Sequence, residues 1–259
     1  MSYSIIINPN SGIAGDMFSA SLIHALKETN DQGFIDIINQ WEINLKEFYK
    51  GISKNSSELK ISKENVSKKG INAVYLTFQI KNLKTKHRSA KEIISMFKNS
   101  KLSIPVKETA LNILNILIEA ECKIHGKKPS EIHLHEAGGE DSILDILSAA
   151  YLFEALKKPK IFSSELIESF SGKTIFSHGE VPLPVPATAE IIKNIPISFT
   201  SLSEEMITPT GAAILKGLNV KFSIPKNQYK IISIGYGAGF KNFIDRPNVL
   251  RALLIEEIK

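Results

Sequence analysis

Two histidines of this 259-residue chain have a spacing that suits metal binding. His133 and His135 lie two apart in a short apolar run, and residues two apart in an extended segment point to the same side. Imidazole is a common ligand of first-row transition metals, and Glu136 can orient a ring or add an oxygen ligand. The pattern predicts a metal site, and His178, next to Gly179 in a loop, is a candidate to contact a ligand. Ordinary surface histidines are the alternative.

Three aspartates are candidates for proton transfer or for supporting a metal. Asp16 follows Gly15 at a predicted helix start. Asp141 and Asp145 share one stripe with Ser148 on a helix that is apolar on almost every side, so we expect this helix to be buried. Buried carboxylates must meet a cation, hydrogen-bond donors or water. Capping is the alternative in both places, because Asp16 is a common capping type and Ser142 with Asp145 has the capping-box spacing.

Two glycine-containing helix starts and one arginine can bind an anion. The turn 11–15 follows a predicted strand, and Thr208 and Pro209 open a later helix. Amides at a helix start attract anions, although no Gly-Lys-Ser/Thr phosphate loop is present. The structural alternatives are a capped turn, a capped helix and an arginine paired with an acid. The candidates for anion or cofactor binding are Ser11, Gly12, Gly15, Thr208, Thr210, Gly211 and Arg246.

Strand and helix patterns alternate along the chain. A strand over 2–8 leads to a helix from about Asp16, and a short helix is expected over 34–41. Further signals predict strands over 58–66 and 71–80 as a hairpin, and strands over 229–234 and 249–255, with Gly235, Gly237 and Gly239 indicating a close backbone approach. This order predicts an α/β or mixed α+β fold, a mixed sheet with flanking helices. We expect a single module over 1–259 with a flexible linker near 82–88.

Composition excludes several classes of protein. The chain is 43% hydrophobic and 23% charged, as is typical of globular proteins. Its net charge of +5 suits an anionic ligand, but the scattered lysines argue against nucleic-acid binding. The single cysteine, Cys122, excludes an intramolecular disulfide and a cysteine-rich metal site. No apolar run is long enough for a membrane span or a signal peptide. We therefore expect a cytoplasmic protein with no membrane partner.

Six motifs, in order along the chain, resemble the LarC-type nickel-insertion proteins, and the resemblance spans about residues 3–255. The motifs are Ser11–Met17, His133–Gly138 with Asp141–Ile146, His178–Gly179 with Pro182–Thr188, Thr208–Ala213, Gly235–Gly239 and Asp245–Arg251. The resemblance implies insertion of nickel into pyridinium-3,5-bisthiocarboxylic acid mononucleotide. The product is the nickel-pincer cofactor of lactate racemase-type enzymes, and the enzyme class is a nickel chelatase or cyclometallase among the lyases.

The resemblance also implies roles for the candidate residues. The metal ligands would be His133, His135, Glu136 and His178. Asp16, Asp141 and Asp145 would be supporting ligands or would accept the proton that nickel replaces. The phosphate of the mononucleotide would be held by Gly12, Gly15, Thr208, Thr210 and Arg246.

This chain differs from the proteins it resembles in two ways that determine which partners we expect. Residues 81–86 hold no histidine, so the histidine-rich tract of many relatives is missing. We also expect the C-terminal nucleotide-binding domain of relatives to be absent. CTP, with magnesium or manganese, would then act through a separate chain that carries that domain. The alternatives are a non-catalytic nickel carrier or scaffold and a magnesium-dependent nucleotide phosphohydrolase that uses Asp16.

Overall fold

The computed structural model describes residues 3–52, 58–80, 88–134, 139–176 and 179–258. The helices are α1 Gly15–Glu28, α2 Gln32–Ile52, α3 Ala90–Asn99, α4 Ile104–His125, α5 Glu140–Ala155, α6 Pro186–Ile191 and α7 Pro209–Gly217. The strands are β1 Tyr3–Asn8, β2 Leu59–Lys68, β3 Ile71–Ile80, β4 Lys160–Ser163, β5 Leu166–Ser169, β6 Lys173–Phe176, β7 Gly179–Pro182, β8 Ile197–Thr200, β9 Tyr229–Ala238 and β10 Val249–Glu257. In these ranges no helix is long and apolar enough to cross a membrane.

The central sheet is mixed, as the sequence predicts. Its six strands have the order β2-β3-β9-β10-β1-β4. β1 pairs with β10 antiparallel and with β4 parallel, and β3 pairs with β9 parallel at one position. Two small sheets, β5 with β8 and β6 with β7, complete the strands. The expected mixed sheet with flanking helices is confirmed.

The β2–β3 hairpin also agrees with the expectation. The strands pair antiparallel from Leu59 with Ile80 to Lys68 with Ile71. Lys69 and Gly70 form the turn with φ angles of 48° and 84°, values that glycine adopts without strain. Most of the expected linker, residues 82–87, lies outside the described residues. Its last member, Arg88, makes an ion pair of 2.6 Å with Glu140 at the start of α5.

Helix α1 packs on β9 with almost no space between the two backbones. A Cβ atom at Gly235 would lie 2.1 Å from the Ser21 carbonyl oxygen, and one at Gly237 would lie 2.1 Å from that of Met17. The predicted close approach is therefore confirmed, and its partner is a helix of the same chain. β9 continues to Ala238, beyond the expected end at residue 234, because these glycines remain in the strand beneath α1.

A buried hydrogen-bond chain joins three helices. The Trp41 indole in α2 donates to the Ser148 hydroxyl of α5 at 2.8 Å, and Ser148 donates to the Ser19 hydroxyl of α1 at 2.7 Å. All three side chains are fully buried, so their polar atoms require such partners. The helix expected over 34–41 extends to Ile52 in the structure. Ser148, which belongs to the polar stripe of α5, thus has hydrogen-bond partners on both neighbouring helices.

Candidate functional site

The starts of α1, α5 and α7 lie together beside the turn that follows β1. In that turn the Ile13 amide donates to the Met206 carbonyl at 2.8 Å, and the Thr208 amide donates back to the Ile13 carbonyl at 3.0 Å. The Thr210 hydroxyl of α7 lies 3.4 Å from the Ser142 hydroxyl of α5. Two motifs that are remote in sequence, the glycine turn and the Thr-Pro-Thr-Gly helix start, are therefore neighbours.

Asp145 fills the space that Gly15 leaves. A Cβ atom at Gly15 would lie 2.6 Å from the Cβ and 2.7 Å from Oδ2 of Asp145. The Asp145 carboxyl accepts a hydrogen bond from the Asp16 amide, and Asp16 Oδ1 accepts one from the Met17 amide at 2.7 Å. Asp145 Oδ1 is buried and has no hydrogen-bond partner within the described part of the chain. The pair Asp16 and Asp145 forms the centre of what we call the aspartate cluster, whose third member is Asp141.

All three carboxyls of the aspartate cluster have raised pKa values. Burial raises the pKa of Asp16 to about 6, against the opposing effect of the amides that donate to it, and Asp141 adds to the rise. The pKa of Asp145 lies well above its usual range because of burial and because Asp16 and Asp141 are near. Loss of solvent and the neighbouring Glu140 raise the pKa of Asp141, which lies at the exposed side. Carboxyls of this kind take up a proton or a cation near neutral pH.

The capping interpretations have different outcomes. Gly139 is the N-cap of α5 and no side chain caps that helix, so the Ser142–Asp145 capping box is wrong. Ala14 is the N-cap of α1, so Asp16 is not the cap residue, although its carboxylate accepts a first-turn amide. Thr208 does cap α7, because its hydroxyl accepts the Gly211 amide at 3.1 Å.

Protein atoms occupy the space next to two other candidate glycines. Gly12 has a φ of 86°, and a Cβ there would lie 1.9 Å from the Met206 carbonyl oxygen. A Cβ at Gly211 would lie 2.5 Å from the Ile13 carbonyl oxygen. These glycines therefore let the turn and the start of α7 pack together. Ser11 contributes by donating its hydroxyl to the Pro247 carbonyl at 2.7 Å.

His133 lies in an extended segment, as expected. Its neighbours Ile132 and Leu134 are buried, whereas His133 is exposed. The Ala90 amide donates to the Ile132 carbonyl and the Leu134 amide donates to the Arg88 carbonyl, each at 3.2 Å. His135, Glu136 and His178 lie outside the described residues, so the complete ligand set stays a prediction. Among the residues described, no group of three or more His, Cys, Asp or Glu side chains is arranged to hold a metal ion.

Arg246 lies on the other side of the turn. Its guanidinium pairs with Asp245 at 2.8 Å and contacts the Asn10 carbonyl at 3.3 Å and the Thr200 hydroxyl at 3.4 Å. It also lines a cavity together with Lys68 and Lys69 of the hairpin. These two lysines were not among the binding residues predicted from the sequence, because their pattern is typical of an ordinary hairpin turn.

Tyr75 is a second residue that the sequence reasoning missed. Burial raises the pKa of its phenol, and the nearby Asp16 and Glu64 carboxylates raise it further. Tyr75 on β3 therefore lies close enough to the aspartate cluster to interact with it. A tyrosine in an alternating strand has no feature that would single it out in the sequence.

The comparisons with known proteins agree with one another. The family model described as "Nickel insertion protein" matches residues 5–259. A Staphylococcus saprophyticus protein named "Pyridinium-3,5-bisthiocarboxylic acid mononucleotide nickel insertion protein" is 36% identical over 253 residues, which cover 98% of this chain and 60% of that protein. A "Putative nickel insertion protein" of Methanocaldococcus jannaschii is 35% identical over 254 residues, 98% of this chain and 62% of its own length.

A third relative, from Clostridium kluyveri, carries the same name as the staphylococcal protein and is 44% identical over 170 residues, 66% of this chain and 42% of its own. The chain thus spans about 60% of the length of the first relatives it matches. No solved structure was found to match it. The family match over nearly the whole sequence shows that this chain belongs to the nickel insertion protein family.

Proposed function

We propose that this chain inserts nickel into pyridinium-3,5-bisthiocarboxylic acid mononucleotide, as a nickel chelatase or cyclometallase of the lyase class. The names of its relatives support this substrate. In the reaction a carbon–nickel bond replaces a ring C–H bond, and the released proton needs an acceptor. We further propose a cytoplasmic location, which the single cysteine supports.

The pair Asp16 and Asp145 carries the proposal. A general base works best when its pKa lies near the working pH, and the Asp16 carboxyl has a pKa of about 6. One of the two carboxylates accepts the proton as nickel binds the ring carbon, and Asp141 supports the metal or the proton from the exposed side. The unpartnered Oδ1 of Asp145 leaves one buried acceptor available for either.

Nickel is held by His133, His135, Glu136 and His178 in this proposal. The exposed position of His133 beside two buried neighbours supports it, and so does its place shortly before α5, which carries Asp141 and Asp145. Metal binding requires an unprotonated imidazole nitrogen, so nickel and protons compete for these histidines.

The mononucleotide is positioned by the turn and the two helix starts. Close packing fixes the backbone at three glycines, which helps to shape the binding site: Gly12, Gly15 and Gly211. The polar groups that contact the mononucleotide come from Ser11, Thr208, Thr210 and Arg246. CTP, with magnesium or manganese, assists the reaction together with a partner chain.

Reconstitution tests the proposal. The purified chain is incubated with nickel and the mononucleotide, with and without CTP, magnesium or manganese and the C-terminal domain of a longer relative. Mass spectrometry should then show the nickel-containing product. Replacing both His133 and His135 by alanine should abolish nickel binding measured by calorimetry without unfolding the chain. His125→Ala, outside the proposed metal site, is the matched control and should bind nickel normally.

Each alternative has its own outcome. Nickel binding without product under every combination would favour a nickel carrier or scaffold. Nucleotide hydrolysis that needs magnesium and Asp16 but no nickel would favour a phosphohydrolase. Wild-type nickel affinity in the variant that lacks both histidines would show that other residues bind the metal.

A further inference from the structure

A cavity of about 250 Å³ lies where the tip of the β2–β3 hairpin meets the loop between β9 and β10. Lys68 and Lys69 line it from the hairpin, and Asn242, Arg246 and Asn248 line it from the loop. Three of these five side chains are cations. The two walls come from parts of the chain that are remote in sequence, so the fold itself creates this concentration of positive charge.

Hydrogen bonds hold the two walls together. Lys68 Nζ donates to Asn242 Oδ1 at 2.8 Å and to the carbonyls of Phe240 and Lys241 at 3.3 and 3.2 Å. The buried Asn248 side chain donates to the Lys241 carbonyl at 3.0 Å. The cavity is therefore present before any ligand binds, which reduces the entropy lost on binding.

The charges around the cavity are unbalanced. Asp245 is the acid that pairs with Arg246, and the proximity of Arg246 and Lys69 holds its pKa below the usual range. Among the described residues that line the cavity or pair with its lining, one carboxylate, Asp245, faces three cations. Burial also lowers the pKa of Lys68, because its ammonium group has lost part of its hydration. An anion in the cavity would compensate for that loss.

We propose that this cavity binds the phosphate group of a mononucleotide. The inference rests on the proposed function, because the substrate named for the relatives is a mononucleotide. At about 250 Å³ the cavity is smaller than the roughly 300–1,000 Å³ of sites that enclose a whole small molecule, so it takes one group of the ligand. Arg246 and Pro247 contact the turn at Asn10 and Ser11, and that turn leads directly to the aspartate cluster.

Binding of two related compounds tests the phosphate assignment. Nicotinic acid mononucleotide and its riboside, which lacks the phosphate, are titrated against the full chain by calorimetry. The riboside should bind about tenfold more weakly or worse, since a charge-assisted contact is lost. Lys69→Asn and Arg246→Gln should each weaken mononucleotide binding about tenfold and leave riboside binding unchanged. Asparagine suits position 69 because its φ of 48° is one that this residue tolerates.

Lys60→Asn is the matched control. It removes one charge near the start of β2, at the end remote from the hairpin tip, where Lys60 pairs with Gln79, and should leave both affinities unchanged. Equal affinity for the two compounds, or unaltered mononucleotide affinity in both cavity variants, would overturn the inference. Inorganic phosphate that binds as tightly as the mononucleotide would also overturn it, because the site would then serve free phosphate.

The reconstituted reaction separates this inference from the proposed function. Nickel insertion with an unchanged KM for the mononucleotide in Lys69→Asn and Arg246→Gln would overturn the phosphate site and leave the function standing. Phosphate-dependent binding without nickel insertion in any reconstitution would support the site and overturn the function.

Discussion

The aspartate cluster and the cavity lined by Lys68, Lys69 and Arg246 lie beside the same turn and carry opposite charges. In the cluster, Asp16 and Asp145 face backbone amides, and no salt bridge to either is present in the described ranges. In the cavity, Lys68 is held by carbonyl and amide oxygens and Arg246 by Asp245. The acids are therefore poised to take up a cation or a proton, and the cations are poised to meet an anion.

This difference suits a reaction that joins a metal cation to an anionic mononucleotide. If the acids and the cations lay in one place, they would pair with each other and bind both reactants less well. The turn keeps the two regions apart, because its Ile13 pairs with the segment before α7 and its Asn10 and Ser11 contact the loop that carries Arg246.

Removing one charge from the aspartate cluster should have the largest effect. We expect Asp145→Asn, and separately Asp16→Asn, to slow nickel insertion by about 10²–10⁴-fold, the usual contribution of a general base. The amide oxygen can still accept the backbone hydrogen bond, so both variants should remain folded by circular dichroism. Asp36→Asn, at an exposed position of α2, is the control. Full activity in both cluster variants would contradict the proton-accepting role and would leave these acids with a structural role alone.

Filling the space between Gly15 and Asp145 should come second. Gly15→Val should lower the free energy of unfolding by about 3 kcal/mol, because the new side chain overlaps Asp145. Urea unfolding measures the change. Gly51→Ala is the matched control, since no atom lies within 4 Å of a Cβ there, and it should be neutral or stabilising by up to about 1 kcal/mol. Equal stability of Gly15→Val and wild type would contradict the packing described here.

The raised pKa of Asp16 predicts a pH dependence of stability. Its folded pKa of about 6 exceeds the ordinary value of 3.8, so the folded state holds the proton more tightly than the unfolded state. The stability that this group contributes is complete below about pH 4 and is lost as the pH rises through about 6, a change of about 3 kcal/mol. Subtracting the unfolding curves of Asp16→Asn from those of wild type isolates this contribution. A flat difference between pH 4 and pH 7 would contradict it.

The smallest effect should come from Asp245, the acid that pairs with Arg246 beside the cavity. Asp245→Asn removes a negative charge that Arg246 and Lys69 keep ionised. We expect nicotinic acid mononucleotide to bind about twofold more tightly, because an exposed pair contributes little. Calorimetry at low salt measures the change, and weaker binding in this variant would indicate that Asp245 positions Arg246 rather than competing with the phosphate.

Local patterns were enough to predict several elements from the sequence. The hairpin turn at Lys69 and Gly70, the cap at Thr208 and the extended position of His133 depend on neighbouring residues, and each agrees with the structure. Asp141 and Asp145 were candidates for the same kind of reason, because two carboxylates on an apolar helix are unusual, and their role stays a prediction. The family resemblance rests on the same kind of local motif, and the family match over residues 5–259 confirms it.

The partners of these residues were decided by the tertiary structure. The sequence indicated that Gly15 and Gly237 need close approach, but only packing placed Asp145 against the first and the Met17 backbone against the second. It likewise brought Lys69 and Arg246 to one cavity although they are far apart in the chain. The physical reason is that a residue's type and spacing determine its local conformation and its tendency to be buried, whereas its neighbours depend on how distant segments pack.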